Sequence, residues 1–283
     1  MQLAFTKMEG LGNDFILIDN TRGVLPQNTP FPGLAQKLCS RHFGIGADGI
    51  ILILPSANAD MAFRIFNSDG SEPQMCGNGM RCFAKYLYEK SILRKTLFEV
   101  ETPAGIIIPE VFPEADGSVS LVRVDMGEPI LVPGSIPFLG GGTTAIHETI
   151  MVRDVPEYIT AVSMGNPHAV ILVDDIDSVA LKERGTAVEN HPAFPEKTNV
   201  EFIQILNQAE MKMRVWERGA GETLACGTGA CAALVAAHLN GKCGTRALIH
   251  LAGGDLTVEW NRKTNHIFKT GPANLVFEGT ILI

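Results

Sequence analysis

The sequence predicts an α/β protein of the α+β kind, built as two pseudo-symmetric domains. Three observations predict this. First, a cysteine motif occurs twice, 150 residues apart in a 283-residue chain: Asn67-Ser-Asp-Gly-Ser-Glu-Pro-Gln-Met-Cys76-Gly-Asn-Gly79 and Glu217-Arg-Gly-Ala-Gly-Glu-Thr-Leu-Ala-Cys226-Gly-Thr-Gly229. A repeat at half the chain length points to two domains of ordinary size. Second, short runs rich in β-branched and apolar residues recur throughout, bounded by Gly, Pro, Asn or Asp. Third, each cysteine leads into one strongly apolar helical pattern.

Taken in order, strands are expected at Phe15–Ile18, Ile50–Leu54, Met61–Phe66, Leu97–Glu101 and Val119–Met126. The second half repeats the style at Ala169–Val173, Asn199–Ile205, Glu210–Trp216, Ala247–Leu251, Leu256–Trp260 and Leu275–Ile283. After Cys76, Met80, Phe83, Ala84, Leu87 and Tyr88 fall on one face of a helix. After Cys226, Cys231, Leu234, Val235, His238 and Leu239 do the same before Asn240-Gly241 stops the helix. The second helix carries Ala at 230, 232, 233, 236 and 237, so it reads as buried on most sides, enclosed by sheet. Further helices are expected at Gly33–Arg41 and Val179–Asn190. Gly127–Gly142, with three prolines and five glycines, reads as the interdomain connection.

Gly44-Ile-Gly46-Ala-Asp-Gly49 spells a dinucleotide fingerprint, but its context is reversed. That fingerprint needs a strand before it and a helix after it. Here a helix precedes and a strand follows, so the segment reads as a tight helix-to-strand turn and not as a Rossmann site.

Bulk composition narrows the function classes. Hydrophobic residues make up 46% and charged residues 19% of the chain, and the formal net charge is −8. An acidic chain without a basic run argues against nucleic acid and anionic membrane as partners. No apolar stretch is long enough to span a bilayer as a helix. Lys7, Glu9 and Asp14 come too early for a signal peptide, so a cytoplasmic location is expected. Six cysteines in a chain of this length are read as thiols, not as a disulfide scaffold.

Four of those thiols, Cys39, Cys82, Cys231 and Cys243, fit inert core positions. Cys76 and Cys226 do not. Each stands before Gly-x-Gly and a helix start, where unpaired N–H groups and a partial positive charge favour thiolate over thiol and can hold a carboxylate. A thiolate that takes a proton while an opposite thiol gives one is a two-base inversion at carbon. Zinc fits poorly, because Cys76-x5-Cys82 and Cys226-x4-Cys231 are not the usual structural pairs and each second cysteine lies inside a helix; no metal is expected. A thiol–disulfide oxidoreductase would need Cys-x-x-Cys, which is absent.

Asparagines in turns form a further set: Asn13, Asn67, Asn166 and Asn199. Each has an ordinary structural reading, since Asn tolerates left-handed backbone and bonds its own turn. An amide also offers both a donor and an acceptor, which suits a zwitterionic ligand. Glu217 and Arg218 add a carboxylate for an ammonium and a guanidinium fork for a carboxylate, against the alternative of a surface ion pair of little energetic weight.

Together these motifs resemble the diaminopimelate epimerase family. The likeness runs through Lys7-Met-Glu-Gly-Leu-Gly-Asn-Asp-Phe15, Arg41-His-Phe-Gly-Ile-Gly-Ala-Asp48, Phe66-Asn-Ser-Asp-Gly-Ser, Met75-Cys-Gly-Asn-Gly-Met-Arg81, Gly165-Asn-Pro-His168, Glu217-Arg-Gly-Ala-Gly-Glu-Thr and Ala225-Cys-Gly-Thr-Gly229. The related proline racemases share the paired thiols but usually carry His where Asn78 stands.

The resemblance implies a cofactor-free homodimeric enzyme that interconverts LL- and meso-2,6-diaminopimelate, a small-molecule substrate. It implies two domains, each an antiparallel barrel-like sheet around a central helix, with substrate in the cleft between them. The halves would be residues 1–127 with 273–283, and residues 128–272. Carried over by motif, Cys76 and Cys226 are the acid/base pair. Gly77, Asn78, Gly227 and Thr228 contact the reacting carboxylate. Asn13, Asn67, Asn166, Asn199, Glu217 and Arg218 hold the substrate's amino and carboxylate groups, and His168 and Glu217 support the cysteines. Some members have Gln where this chain has Gly49, so the contact credited to that side chain is missing here.

Overall fold

The computed structural model describes residues 1–140 and 142–283. The elements run β1 (Gln2–Gly10), β2 (Asn13–Asp19), α1 (Phe31–Cys39), β3 (Gly49–Leu54), β4 (Met61–Asn67), α2 (Gly77–Glu89), β5 (Val100–Thr102), β6 (Gly105–Ile107), β7 (Pro109–Pro113) and β8 (Val119–Asp125). They continue with β9 (Glu148–Val152), β10 (Val155–Ser163), β11 (Pro167–Leu172), α3 (Leu181–Glu189), β12 (Asn199–Asn207), β13 (Glu210–Glu217), β14 (Gly221–Thr223), α4 (Gly227–Leu239), β15 (Arg246–Leu251), β16 (Gly254–Trp260), β17 (Ile267–Gly271) and β18 (Asn274–Leu282).

The chain divides into two compact units, Met1–Val124 with Gly271–Ile283, and Asp125–Thr270. In the first, the sheet order is β18-β1-β2-β3-β4-β5-β6, with β7 and β8 forming an antiparallel pair. In the second, the order is β17-β16-β15-β13-β12-β11-β10-β9, and β14 pairs with β13.

Neither sheet is purely antiparallel. β2 and β3 run parallel, as do β4 and β5, β11 and β12, and β13 and β15. Parallel neighbours need a long crossover, usually a helix. Here α1, α2, α3 and α4 lie in those four connections, so each cysteine-led helix is the crossover of a strand-helix-strand unit.

Within its own unit, each of these helices lies against the sheet. α2 packs on β1, β2, β3 and β7, and α4 on β10, β11, β12, β13, β15 and β16. Every residue from Gly229 to Ala237 is buried, as the alanine-rich pattern requires. Small side chains lose little rotamer freedom and allow strands to approach closely. α2 buries larger groups, with Phe83 set edge-on to Phe63 at 5.3 Å between ring centroids.

The stretch Gly127–Gly142 is not a free connection, and Gly141 of its glycine run lies outside the described residues. Pro133–Ser135 form a short 3-10 turn, Ile130 bridges to Ser163, and Ile136 and Phe138 are buried in the core of the second unit. The apolar residues between the prolines outweigh the turn signal.

Strands β1, β6, β7, β9, β10, β14 and β17 were not legible. β1 is interrupted by Lys7, which is buried and satisfied by the Asp14 carboxylate at 2.5 Å and by the Gly46 carbonyl. β10 carries Pro156 next to its start, where the missing N–H is tolerated. No helix among the described residues is long and apolar enough to cross a membrane.

Candidate active site

Both Cys76 and Cys226 are the N-cap residues of their helices. Their backbones are extended (φ −139°, ψ 114° and φ −116°, ψ 111°), and their carbonyls accept from the N–H groups of Met80 and Ala230 at 2.8 and 3.0 Å. Gly77 and Asn78, and likewise Gly227 and Thr228, occupy the first helical positions, where N–H groups have no intrahelical partner.

In the first unit, Cys76 is half-buried. Its Sγ accepts from the Gly79 N–H at 3.4 Å and stands 3.9 Å from Asn13 Oδ1. Asn78 Nδ2 donates to the same Oδ1 at 3.4 Å, and Asn13 Nδ2 donates to Asp48 at 2.7 Å. Asp48 and Asp14 are bridged by Arg41. Burial pushes the Asp14 carboxyl up, but hydrogen bonds from Arg41 and Lys7 outweigh it and hold the group below the usual carboxylate range. Asn67 ends β4, and its Nδ2 donates to Ser71 Oγ at 2.9 Å.

A charge stands behind this cluster. Arg81 is fully buried, and it donates to Asn78 Oδ1 at 2.8 Å and to the Pro272 carbonyl at 2.9 Å. Its Nη2 has no partner among the described residues, and burial lowers the guanidinium's affinity for its proton.

In the second unit, Cys226 is buried, and its Sγ lies 3.5 Å from Thr228 Oγ1. The expectation that its helix start favours thiolate fails here. Burial, then the Glu217 and Glu201 carboxylates, push the Cys226 thiol well above its ordinary value. Glu217 accepts from Thr223 Oγ1.

Asn199 is buried, with both ends of its amide used. Nδ2 donates to the Pro167 carbonyl and Oδ1 accepts from the Arg218 N–H, each at 2.9 Å, so it ties the Asn166 turn to the Arg218 turn. Arg218 is exposed and donates to the Glu196 carbonyl at 3.0 Å. His168 is fully buried between Glu201 Oε1 at 2.7 Å and Asn166 Oδ1 at 3.0 Å.

Gly49 pairs with Asn67, and a Cβ placed on it would meet the Phe66 carbonyl oxygen at 2.8 Å. Asn199 holds the matching place in the repeat.

Arg81, Asp48, Glu189 and Glu201 were missed from sequence. Glu189 is buried at the end of α3, accepts from Trp216 Nε1 at 2.8 Å and from the Gly219 N–H at 2.9 Å, and so pins the Glu217-Arg218 turn. Glu201 had a signal: it shares strand parity with Asn199 and Ile203, so it is a charge on a face that is otherwise buried. The remaining cysteines behave as core thiols. Burial pushes Cys39 and Cys82 up to about 12, and Cys231 and Cys243 up to about 11.

Solved structures place the fold in a class of two-unit, sheet-rich proteins. A Bacillus anthracis phenazine biosynthesis protein of the PhzF family superposes with a TM-score of 0.73 at 17% identity, covering 100% of both chains. A hydroxyproline epimerase from Agrobacterium vitis superposes at 0.68, also at 17% identity, covering 99% of this chain and 91% of that one. Sequence comparison is more specific. The family model described as diaminopimelate epimerase matches residues 5–132 and 160–276. The diaminopimelate epimerase of Desulforapulum autotrophicum is 59% identical over 283 residues, 100% of each chain. That of Pelotomaculum thermopropionicum is 56% identical over 276 residues, 97% of each. The chain belongs to the diaminopimelate epimerase family.

Proposed function

We propose that this protein interconverts LL- and meso-2,6-diaminopimelate, in the supply of lysine and peptidoglycan precursors, with Cys76 and Cys226 as its two acid/base groups. One observation carries this reading beyond family membership: the two cysteines cap equivalent helices, at matching places in the repeat. A thiolate removes the α-proton, the electron pair remains on the α-carbon and its carboxylate, and the other thiol delivers a proton to the opposite face. An amino-acid α-hydrogen is far less acidic than a thiol. The carbanion therefore needs preorganised donors on the carboxylate, worth several kcal/mol where water is excluded. The N–H groups of Gly77, Asn78, Gly227 and Thr228 supply them. Asn13, Asn67, Asn166, Glu217 and Arg218 hold the amino and carboxylate groups, Asn199 keeps two of those turns in place, and His168 supports the site. The reading assigns no cofactor or metal, and the reaction belongs in the cytoplasm.

The test is conversion of LL-diaminopimelate in deuterated water. Meso product carrying one solvent deuterium at the inverted carbon is expected. No conversion, or product that keeps its original hydrogen, would refute the reading, and turnover of a different amino acid would transfer it to another substrate. We further propose a homodimer. β18 is an edge strand with exposed Leu275, Val276, Phe277 and Leu282, the kind of edge that proteins ordinarily cover. A monomer mass by light scattering would overturn that proposal.

A further inference from the structure

We propose that Glu201, acting through His168, fixes the side-chain amide of Asn166 so that its NH2 group is presented as a hydrogen-bond donor to a carboxylate oxygen of the amino-acid substrate. Glu201 and His168 are then positioning residues, and the inference rests on the epimerase reading above.

The contacts form a chain. Glu201 Oε1 meets His168 Nδ1 at 2.7 Å, and His168 Nε2 meets Asn166 Oδ1 at 3.0 Å. The Glu201 and His168 side chains are fully buried, whereas Asn166 is half-buried at the turn that opens β11. No hydrogen bond among the described residues engages Asn166 Nδ2. The two ends of an amide have nearly the same shape, so the protonation of its partner decides which end turns inward. If Nε2 carries a proton, Oδ1 must face it and Nδ2 is released. If Nε2 is bare, Nδ2 turns in and the site presents an oxygen, which would repel a carboxylate.

Glu201 and His168 can share their protons in three ways. A carboxylate with an imidazolium leaves a proton on Nε2. A neutral carboxylic acid that donates to Nδ1 also leaves Nε2 protonated. Only a carboxylate with a neutral imidazole protonated at Nδ1 strips Nε2, and that arrangement buries a net negative charge. Burial penalises it heavily. Glu217 at the end of β13 acts on the Glu201 carboxyl, and Cys226 at the start of α4 feels both carboxyl groups. Burial, reinforced by the Glu217 carboxylate, raises the Glu201 carboxyl against the opposing pull of His168. Oε2 of Glu201 has no partner among the described residues, so no other group competes for the pair's proton.

The first unit shows that the fold does not require this pair. In the parallel pairing of β2 with β3, Phe15 stands beside Gly49; in that of β11 with β12, His168 stands beside Asn199. Ile51 pairs with Ile65 in the first unit, and Glu201 with Val215 at the matching place in the second. Under Gly79 the nearest group is Ile51 Cδ1, and under Gly229 it is Glu201 Oε1. Phe15 and Ile51 therefore fill the places that His168 and Glu201 fill in the second unit.

Two measurements test the proposal. In wild-type protein labelled with 15N-histidine, long-range proton–nitrogen spectra at a single pH near neutrality should report a protonated Nε2 on His168. A bare Nε2 would overturn it. The double substitution His168→Phe with Glu201→Ile copies the first unit's own pair. It should melt no lower than wild type while KM for diaminopimelate rises about tenfold or more, the loss of one hydrogen bond to a carboxylate, with a smaller change in kcat. An unchanged KM in the folded variant would overturn the relay. Wild-type protein that fails to turn over diaminopimelate would sink the epimerase reading, and the nitrogen spectra would still decide the relay.

Discussion

Gly79 and Gly229 hold matching places, each opening the helix that its cysteine caps, but one added methyl should have opposite consequences at the two. A Cβ at Gly79 would stand 3.0 Å from Ile51 Cδ1 and 3.5 Å from Ile65 Cδ1, both ends of apolar side chains. A shift of a few tenths of an ångström relieves it. Alanine also gains about 0.5–1 kcal/mol over glycine within a helix. Gly79→Ala should therefore lie within about 1 kcal/mol of wild type, since the helix gain offsets the cost of the tight contact. At Gly229 the Cβ would stand 2.6 Å from Glu201 Oε1 and 3.2 Å from Cys226 Sγ. That oxygen is the one bonded to His168. Moving it breaks a buried hydrogen bond to a charged group, which costs about 1.5–3 kcal/mol. Overpacking adds about 1–3 kcal/mol. Less the helix gain, Gly229→Ala should cost about 2–5 kcal/mol and displace Cys226 as well. Urea unfolding followed by circular dichroism measures the difference as a shift in midpoint at constant slope. If Gly229→Ala is as stable as Gly79→Ala, Glu201 is not held against the helix start as described.

Three further outcomes follow. Cys76→Ala and Cys226→Ala should each abolish epimerisation while far-UV dichroism stays native; near-wild-type turnover in either would remove the two-base mechanism. Alkylation of Cys226, followed by mass spectrometry, should keep accelerating as pH rises past 9.0, the ordinary thiol value, because burial and the Glu217 and Glu201 carboxylates favour the protonated thiol. Glu217→Gln should increase its rate at neutral pH, and a plateau below 9.0 in the wild type would contradict the assignment. Stability should fall as pH rises from about 9 toward 12. The thiols of Cys39, Cys82, Cys226, Cys231 and Cys243 are all raised in the folded state, so above the unfolded-state value the folded protein binds more protons and the slope of stability with pH is negative. An unchanged urea midpoint between about pH 8 and pH 10 would contradict this.

The two cysteine-led helices were readable because their apolar spacing is long and regular and their starts are marked by glycines. Burial around α4 followed from its alanines. What stayed hidden was of another kind. Lys7 disguised β1 because a lysine reads as solvent-facing until its partners Asp14 and the Gly46 carbonyl are known. Proline and glycine in 127–142 signalled a connection, while Ile136 and Phe138, close together in the chain, were enough to anchor it in a core. The motif around Cys226 correctly marked a helix start. It could not give the sign of the thiol's shift, because Glu201 comes from β12, well outside the motif, and burial has no local signature.

That distant glutamate bears on why the repeat is imperfect. A duplicated strand-helix-strand unit delivers two similar thiol nests at no further cost in design, and an apolar pair behind each would be the stable choice. Replacing a buried ion pair by packed hydrophobic residues is often neutral or stabilising. The first unit makes that choice with Phe15 and Ile51, and brings its buried charge from the helix itself, through Arg81. The second keeps Glu201 and His168 in the strands behind the helix. The two nests thus stand against different buried groups, a guanidinium bonded to Asn78 behind one and a proton-sharing glutamate–histidine pair behind the other. Inversion of a carbon by the proposed two-base mechanism requires, at any instant, one thiolate and one thiol. A perfectly symmetric pair of sites would leave that division to chance, whereas burial and the Glu217 carboxylate favour the protonated thiol at Cys226 before substrate arrives.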